Sequence, residues 1–75
     1  MAWNYRLMKI SYEGDDQYEM HEVYYDDTGT PTGYTQEAVA VCAESLEGAK
    51  WTLDKMREAL DKPTLTPEDF TNGTK

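Results

Sequence analysis

The chain of 75 residues has one cysteine, one histidine and one phenylalanine. A single Cys42 excludes an intrachain disulfide and makes no metal site by itself. With His21 as the only imidazole, a zinc site would need carboxylates for most of its ligands. Such sparse cysteine fits a reducing, cytoplasmic home. Long apolar runs are absent too, none approaching the ~18 residues of a membrane span. Met1-Ala2-Trp3-Asn4-Tyr5-Arg6 lacks the basic start and apolar run of a secretory leader. Positive charge is scarce: seven Lys or Arg stand against fifteen Asp or Glu, a formal charge of −8. That balance argues against direct affinity for nucleic acid, whose phosphates need a basic surface. The length excludes a second core, a barrel enzyme and a doubly wound nucleotide-binding sheet. Repeats and low-complexity tracts are missing. Asn72-Gly73-Thr74 matches a glycosylation acceptor, which has no role in a cytosolic chain.

What is present reads as three strands and a helix. Trp3 to Tyr12 is rich in aromatic and β-compatible residues. Trp3, Tyr5 and Leu7 alternate onto one face, then Met8, Ile10 and Tyr12 onto the other. A change of apolar face implies either a bulge or a strand covered on both sides. Glu13-Gly14-Asp15-Asp16 is a polar turn, and Gln17 to Tyr25 is the second strand of an antiparallel hairpin. Asp26 to Gly33 is rich in turn-forming residues, and Tyr34 to Val41 is the expected third strand. Ser45 is a good N-cap. From there Leu46, Ala49, Leu53, Met56 and Leu60 form one narrow helical stripe, ended by Lys62 and Pro63. The expectation is an α+β domain over residues 1–65, a three-stranded antiparallel sheet (β-β-β-α) with one helix packed on one face. Residues 66–75 are a tail, partly disordered, in which Thr66-Pro67-Glu68-Asp69 forms one helical turn and Phe70 folds back on the core. Asn72 to Lys75 is the part expected to be disordered.

The charge is uneven. Residues 1–48 hold ten acids and two bases, residues 49–75 five of each. Seven of the nine aromatics also lie in residues 1–34. Tyrosines suit strands, and acids keep a small domain in solution. An acidic face carrying tyrosines is also a good interaction surface, since Tyr and Trp carry much of the binding energy at interfaces. An acidic field there steers a basic partner. Trp51 lies roughly half a turn from the leucine stripe, by the ~3.6-residue period. It therefore meets either a partner or the tail around Phe70.

Other patterns point to turns rather than chemistry. Asp27-Thr28-Gly29-Thr30 matches the aspartic protease loop, but that chemistry pairs two carboxylates across a cleft this length does not provide. Asp26-Asp27-Thr28-Gly29-Thr30 is similar to the phosphorylated aspartate loop of cation pumps, which works within a large α/β domain. A β-turn is the preferred reading. Asp15-Asp16 and Asp26-Asp27 lack the EF-hand spacing. His21 and Glu22 are neighbours on a strand, so they point to opposite faces and do not form an acid–base pair. His21 reads as a half-buried sheet residue, and Cys42 as a small buried one.

Trp3-Asn4-Tyr5-Arg6, then His21-Glu22-Val23-Tyr24-Tyr25-Asp26, then Gly29-x-Pro31-x-Gly33-Tyr34-Thr35 resembles a group of short bacterial and phage proteins with no assigned activity. Ser45-Leu46-Glu47 and Ala59-Leu60-Asp61-Lys62-Pro63 extend the resemblance over about residues 3–65. It implies a small stand-alone cytoplasmic protein and no particular chemistry. The functional expectation is a non-enzymatic protein-binding module, without cofactor, that contacts a protein partner but neither nucleic acid nor membrane. In a phage setting it becomes an inhibitor of a nucleic-acid-binding protein. The expected contact residues are Tyr18, Glu22, Tyr24, Asp26, Asp27 and Trp51. The alternatives are a structural homodimer and an Asp-based metal-binding protein using Asp26, Asp27 and His21.

Overall fold

A two-residue turn sets the register of the sheet. In the computed structural model, which describes residues 2–70, Glu13 and Gly14 both have positive φ, 52° and 93°. That pair is the signature of a primed hairpin turn, whose twist matches the strands it joins. It places Tyr12 opposite Asp15, and the pairing of β1 (Ala2–Tyr12) with β2 (Asp15–Tyr25) then runs unbroken to Ala2 opposite Tyr25. No bulge interrupts β1, so its change of apolar face means that both sides carry contacts. β3 (Pro31–Tyr34) completes an antiparallel sheet of order β1-β2-β3. A register shift at Tyr24/Tyr25 marks the β2–β3 pairing.

The third strand is earlier and shorter than Tyr34 to Val41. The turn that precedes it closes within five residues. One oxygen of the Asp26 carboxylate accepts hydrogen bonds from the Thr28 N–H (3.0 Å), the Thr28 hydroxyl (2.8 Å) and the Thr30 N–H (2.9 Å). Gly29 takes the positive φ, 84°, that the loop requires. Strand pairing therefore resumes at Pro31, and beyond Tyr34 the chain stays tied to β2 by two bonds, Thr35 N–H to Glu22 O and Val39 N–H to Met20 O. Cys42, in the irregular stretch that follows, is exposed rather than buried.

Helix α1 (Leu46–Glu58) begins at Ser45, whose hydroxyl accepts the Gly48 N–H at 3.0 Å. It runs into a 3-10 turn at Ala59–Asp61. The helix and this turn meet the sheet at β1. The stripe of leucines does not make that contact: Leu46 is 72% exposed, Leu53 54% and Leu60 58%. Of the expected stripe, Ala49 and Met56 do lie on the covered side, together with Thr52 and Ala59, of which Ala59 is buried.

One face of the sheet holds the core. Met8, Val23 and Phe70 are fully buried, with Ile10, Tyr25, Tyr34 and Leu65 packed against them. Phe70 folds back as expected, its ring 4.8 Å from that of Tyr34. Leu65 bridges in parallel to Met8, and Pro67–Asp69 forms the expected helical turn, boxed by Thr66 and Asp69. Arg6 ties β1 to this segment, donating to the Tyr25 hydroxyl (3.0 Å) and to the Pro63 carbonyl (2.7 Å). The architecture is α+β, a three-stranded antiparallel sheet and one helix, but the core is closed by residues 65–70 rather than by the helix. The disorder expected of Asn72 to Lys75 falls outside the described residues.

Candidate interaction surface

The unbroken register assigns the face opposite the core. Trp3 lies opposite Tyr24, Tyr5 opposite Glu22, Leu7 opposite Met20 and Lys9 opposite Tyr18. Directly opposed residues share a face. Tyr18, Glu22 and Tyr24 thereby share one face, with Trp3 beside Tyr24 and Tyr5 beside Glu22, and Tyr18 farther along the strand beside Lys9. Tyr18 is 61% exposed and Trp3 45%. The Tyr24 hydroxyl donates to the Glu22 carboxylate at 2.9 Å, and this bond to a charged acceptor holds the phenol pKa above its ordinary value. Trp3 and Tyr5 pack edge to face, ring centroids 5.2 Å apart.

Trp51 is neither buried nor covered by Phe70. It is 53% exposed and lines a groove of about 330 Å³ with Trp3, Asn4, Tyr5, Lys55, Glu58 and Lys62. The Lys55 ammonium stands 5.8 Å from the centre of its ring and 3.6 Å from the Glu58 carboxylate. Through Trp3 and Tyr5 this groove adjoins the Tyr24 and Glu22 positions. Trp3, Tyr5, Lys55 and Lys62 were not among the residues expected at the site. The signal for Trp3 and Tyr5 was present: a two-residue turn at Glu13-Gly14 pairs them with Tyr24 and Glu22.

The acidic loop divides. Asp26 is engaged inside its own turn, and its bonds from Thr28 and Thr30 hold its carboxyl below the usual range. Asp27 is exposed and free to meet a partner. His21 faces the core and is fully buried, more than the half burial expected. Its Nδ1 lies 2.9 Å from the Thr35 carbonyl and its Nε2 2.9 Å from the Glu19 carboxylate. The Tyr12 hydroxyl donates to the other Glu19 oxygen at 2.8 Å. The bonds from His21 and then Tyr12 hold the Glu19 carboxyl below its ordinary value. Among the described residues no three His, Cys, Asp or Glu side chains gather as a metal site. No helix among them is long and apolar enough to cross a membrane. No family model, curated protein or solved structure matches the chain.

Proposed function

We propose that the protein is a small non-enzymatic module that binds a protein partner through the sheet face of Tyr18, Glu22 and Tyr24, extended by Asp27 and Trp51. The observation that supports this reading is the exposure of Trp3 and Trp51 side by side in one groove, with Tyr18 exposed on the same sheet face as Trp3. Exposed aromatics in a contiguous patch mark contact surfaces. The excess of acid in residues 1–48 selects a basic partner. The acid excess fits an inhibitor of a nucleic-acid-binding protein, the acids standing where phosphates would. Affinity capture from a bacterial lysate tests it. The expected catch is a basic protein, released by salt and lost with Tyr24→Ala and with Trp51→Ala. Recovery unaffected by either substitution overturns the assignment.

A homodimer is the second reading, and the helix rather than the sheet supports it. Leu46, Leu53 and Leu60 recur every seven residues and are all exposed. They form an exposed apolar strip along α1 and the 3-10 turn after it, which a second copy would cover. Light scattering across a concentration series tests this: a dimer split by Leu53→Glu supports it, and a constant single-chain mass removes it.

A further inference from the structure

The outer edge of β1 is only partly used. The Lys9 N–H donates to the Leu65 carbonyl at 2.8 Å, and the Leu65 N–H donates to the Leu7 carbonyl at 3.0 Å. The main-chain groups of Leu7 and Lys9 therefore point away from β2. Along an antiparallel strand alternate residues turn their N–H and C=O the same way, and the β1–β2 register is unbroken from Ala2 to Tyr12. Trp3 and Tyr5 accordingly present their N–H and C=O on the same outer edge. Among the described residues no main-chain group outside the β1–β2 ladder bonds to them.

This open stretch lies at the groove between β1 and α1. Edge strands are ordinarily blunted by charge, proline or a covering segment. Here Leu65 covers the edge at Leu7 to Lys9, while Trp3, Tyr5 and Trp51 surround the open part. Large aromatics invite contact. Charge is also local: Lys55 and Lys62 face a single carboxylate, Glu58, in the groove of a chain whose formal charge is −8. Lys55 is the one paired with Glu58.

We propose that the groove binds an extended acidic peptide segment of a partner protein, added as a short strand to the β1 edge at Trp3–Tyr5. The peptide main chain bonds to the N–H and C=O of Trp3 and Tyr5. Its apolar side chains lie on Trp3, Tyr5 and Trp51, and an acidic side chain meets Lys62. A peptide is favoured over other anions because its backbone supplies donors and acceptors in alternation, as the open edge requires. The volume, about 330 Å³, fits a few side chains. Leu65 limits the site at the far end, so the strand is short, on the order of four residues at ~3.3 Å each. The groove shares Trp3 and Trp51 with the surface proposed above, but strand addition rests on the open β1 edge and not on that reading.

Both tryptophans of the chain line the groove, so intrinsic fluorescence reports on it directly. The probe is an end-blocked peptide of alternating valine and glutamate, about eight residues long, titrated at low salt. A saturable change in emission is expected. Lys62→Glu, an exposed position, weakens binding about tenfold or more without altering the thermal melt. N-methylation of every central amide of the peptide abolishes binding. No response at millimolar peptide, or equal binding of the N-methylated peptide, overturns strand addition. An equal response to alternating valine and lysine overturns the acidic specificity. An equal response to indole-acetate or oligothymidylate overturns the peptide as occupant, and self-association that masks the emission change assigns the edge to a second copy instead. If peptide binding fails while Tyr24→Ala still abolishes partner capture, the groove proposal falls and the sheet-face reading stands.

Discussion

Glu13 holds a φ of 52°, where a side chain crowds the backbone at a cost of roughly 1–2 kcal/mol. Asparagine tolerates that conformation better and is preferred in such turns. Glu13→Asn is expected to raise stability by about 1 kcal/mol, read as a higher urea midpoint with an unchanged slope. A second residue-level expectation follows from Glu19 and Asp26. Both carboxyls are held below their ordinary values in the folded state, by His21 and Tyr12 in one case and by Thr28 and Thr30 in the other. A depressed folded pKa contributes stability that is fully present above the unfolded value and lost as pH falls through the folded one. Urea midpoints should therefore hold steady from neutral pH to about 5 and then fall below about 4.5. Glu19→Gln and Asp26→Asn should each be less stable at neutral pH and show a shallower acid loss. A fall between neutral pH and 5 that both variants share would assign the acid sensitivity to other groups. The sequence exposes His21 as a lone histidine on a strand. It does not expose the cage around it, because Thr35 lies beyond β3 and Glu19 and Tyr12 meet only once the hairpin is in register.

At the scale of elements, hydrophobic pattern and packing part company in α1. The leucines give the helix its strongest apolar stripe, and that stripe identifies the helix and its N-cap correctly. Yet Leu46, Leu53 and Leu60 stay exposed, and the side with Ala49, Thr52, Met56 and Ala59 meets β1. The expected stripe and the covered side overlap at Ala49 and Met56, so periodicity finds the helix but sets the centre of its buried side too far toward the leucines. Leu53→Glu is expected to change folding stability by no more than about 0.5 kcal/mol, as at other exposed positions. Ala59→Leu inserts bulk at a buried position and is expected to cost about 1–3 kcal/mol. Chemical denaturation of the pair checks the assignment; a reversed order would restore the leucine stripe to the core. The third strand shows a comparable limit. Its composition places it after Gly33, but the three bonds gathered by Asp26 shorten the turn and move the strand to Pro31. Turn chemistry of that kind depends on one carboxylate's reach, which a count of turn-forming residues does not resolve.

For the molecule as a whole, the uneven charge and the small core are linked. Of the strand acids in residues 1–48, Asp16 and Glu22 lie on the face of the exposed aromatics, Asp16 paired there with Lys9. Few large side chains remain to close the other face. Met8 and Val23 supply the sheet's share, and the chain returns to the sheet after α1 to supply the rest through Leu65 and Phe70. The pattern of the tail, with its Thr66-Pro67 start and lone aromatic, made that return readable in the sequence. What it left open was scale: the helix looked like the lid, and the last described residue is the one that seals the core. Phe70 is fully buried against Tyr34, Met8 and Val23. Deleting a buried phenylalanine costs roughly 3–5 kcal/mol, and small domains hold only about 5–15 kcal/mol in total, with short chains toward the low end. Phe70→Ala is therefore expected to remove most of the folded population at physiological temperature. Circular dichroism melting reads the loss, and Phe70→Leu, which retains much of the apolar volume, should recover a cooperative transition. A Phe70→Ala variant that melts with the parent would mean that β1, β2 and α1 hold together without the returning segment, and the helix would then have to be the principal cover of the sheet.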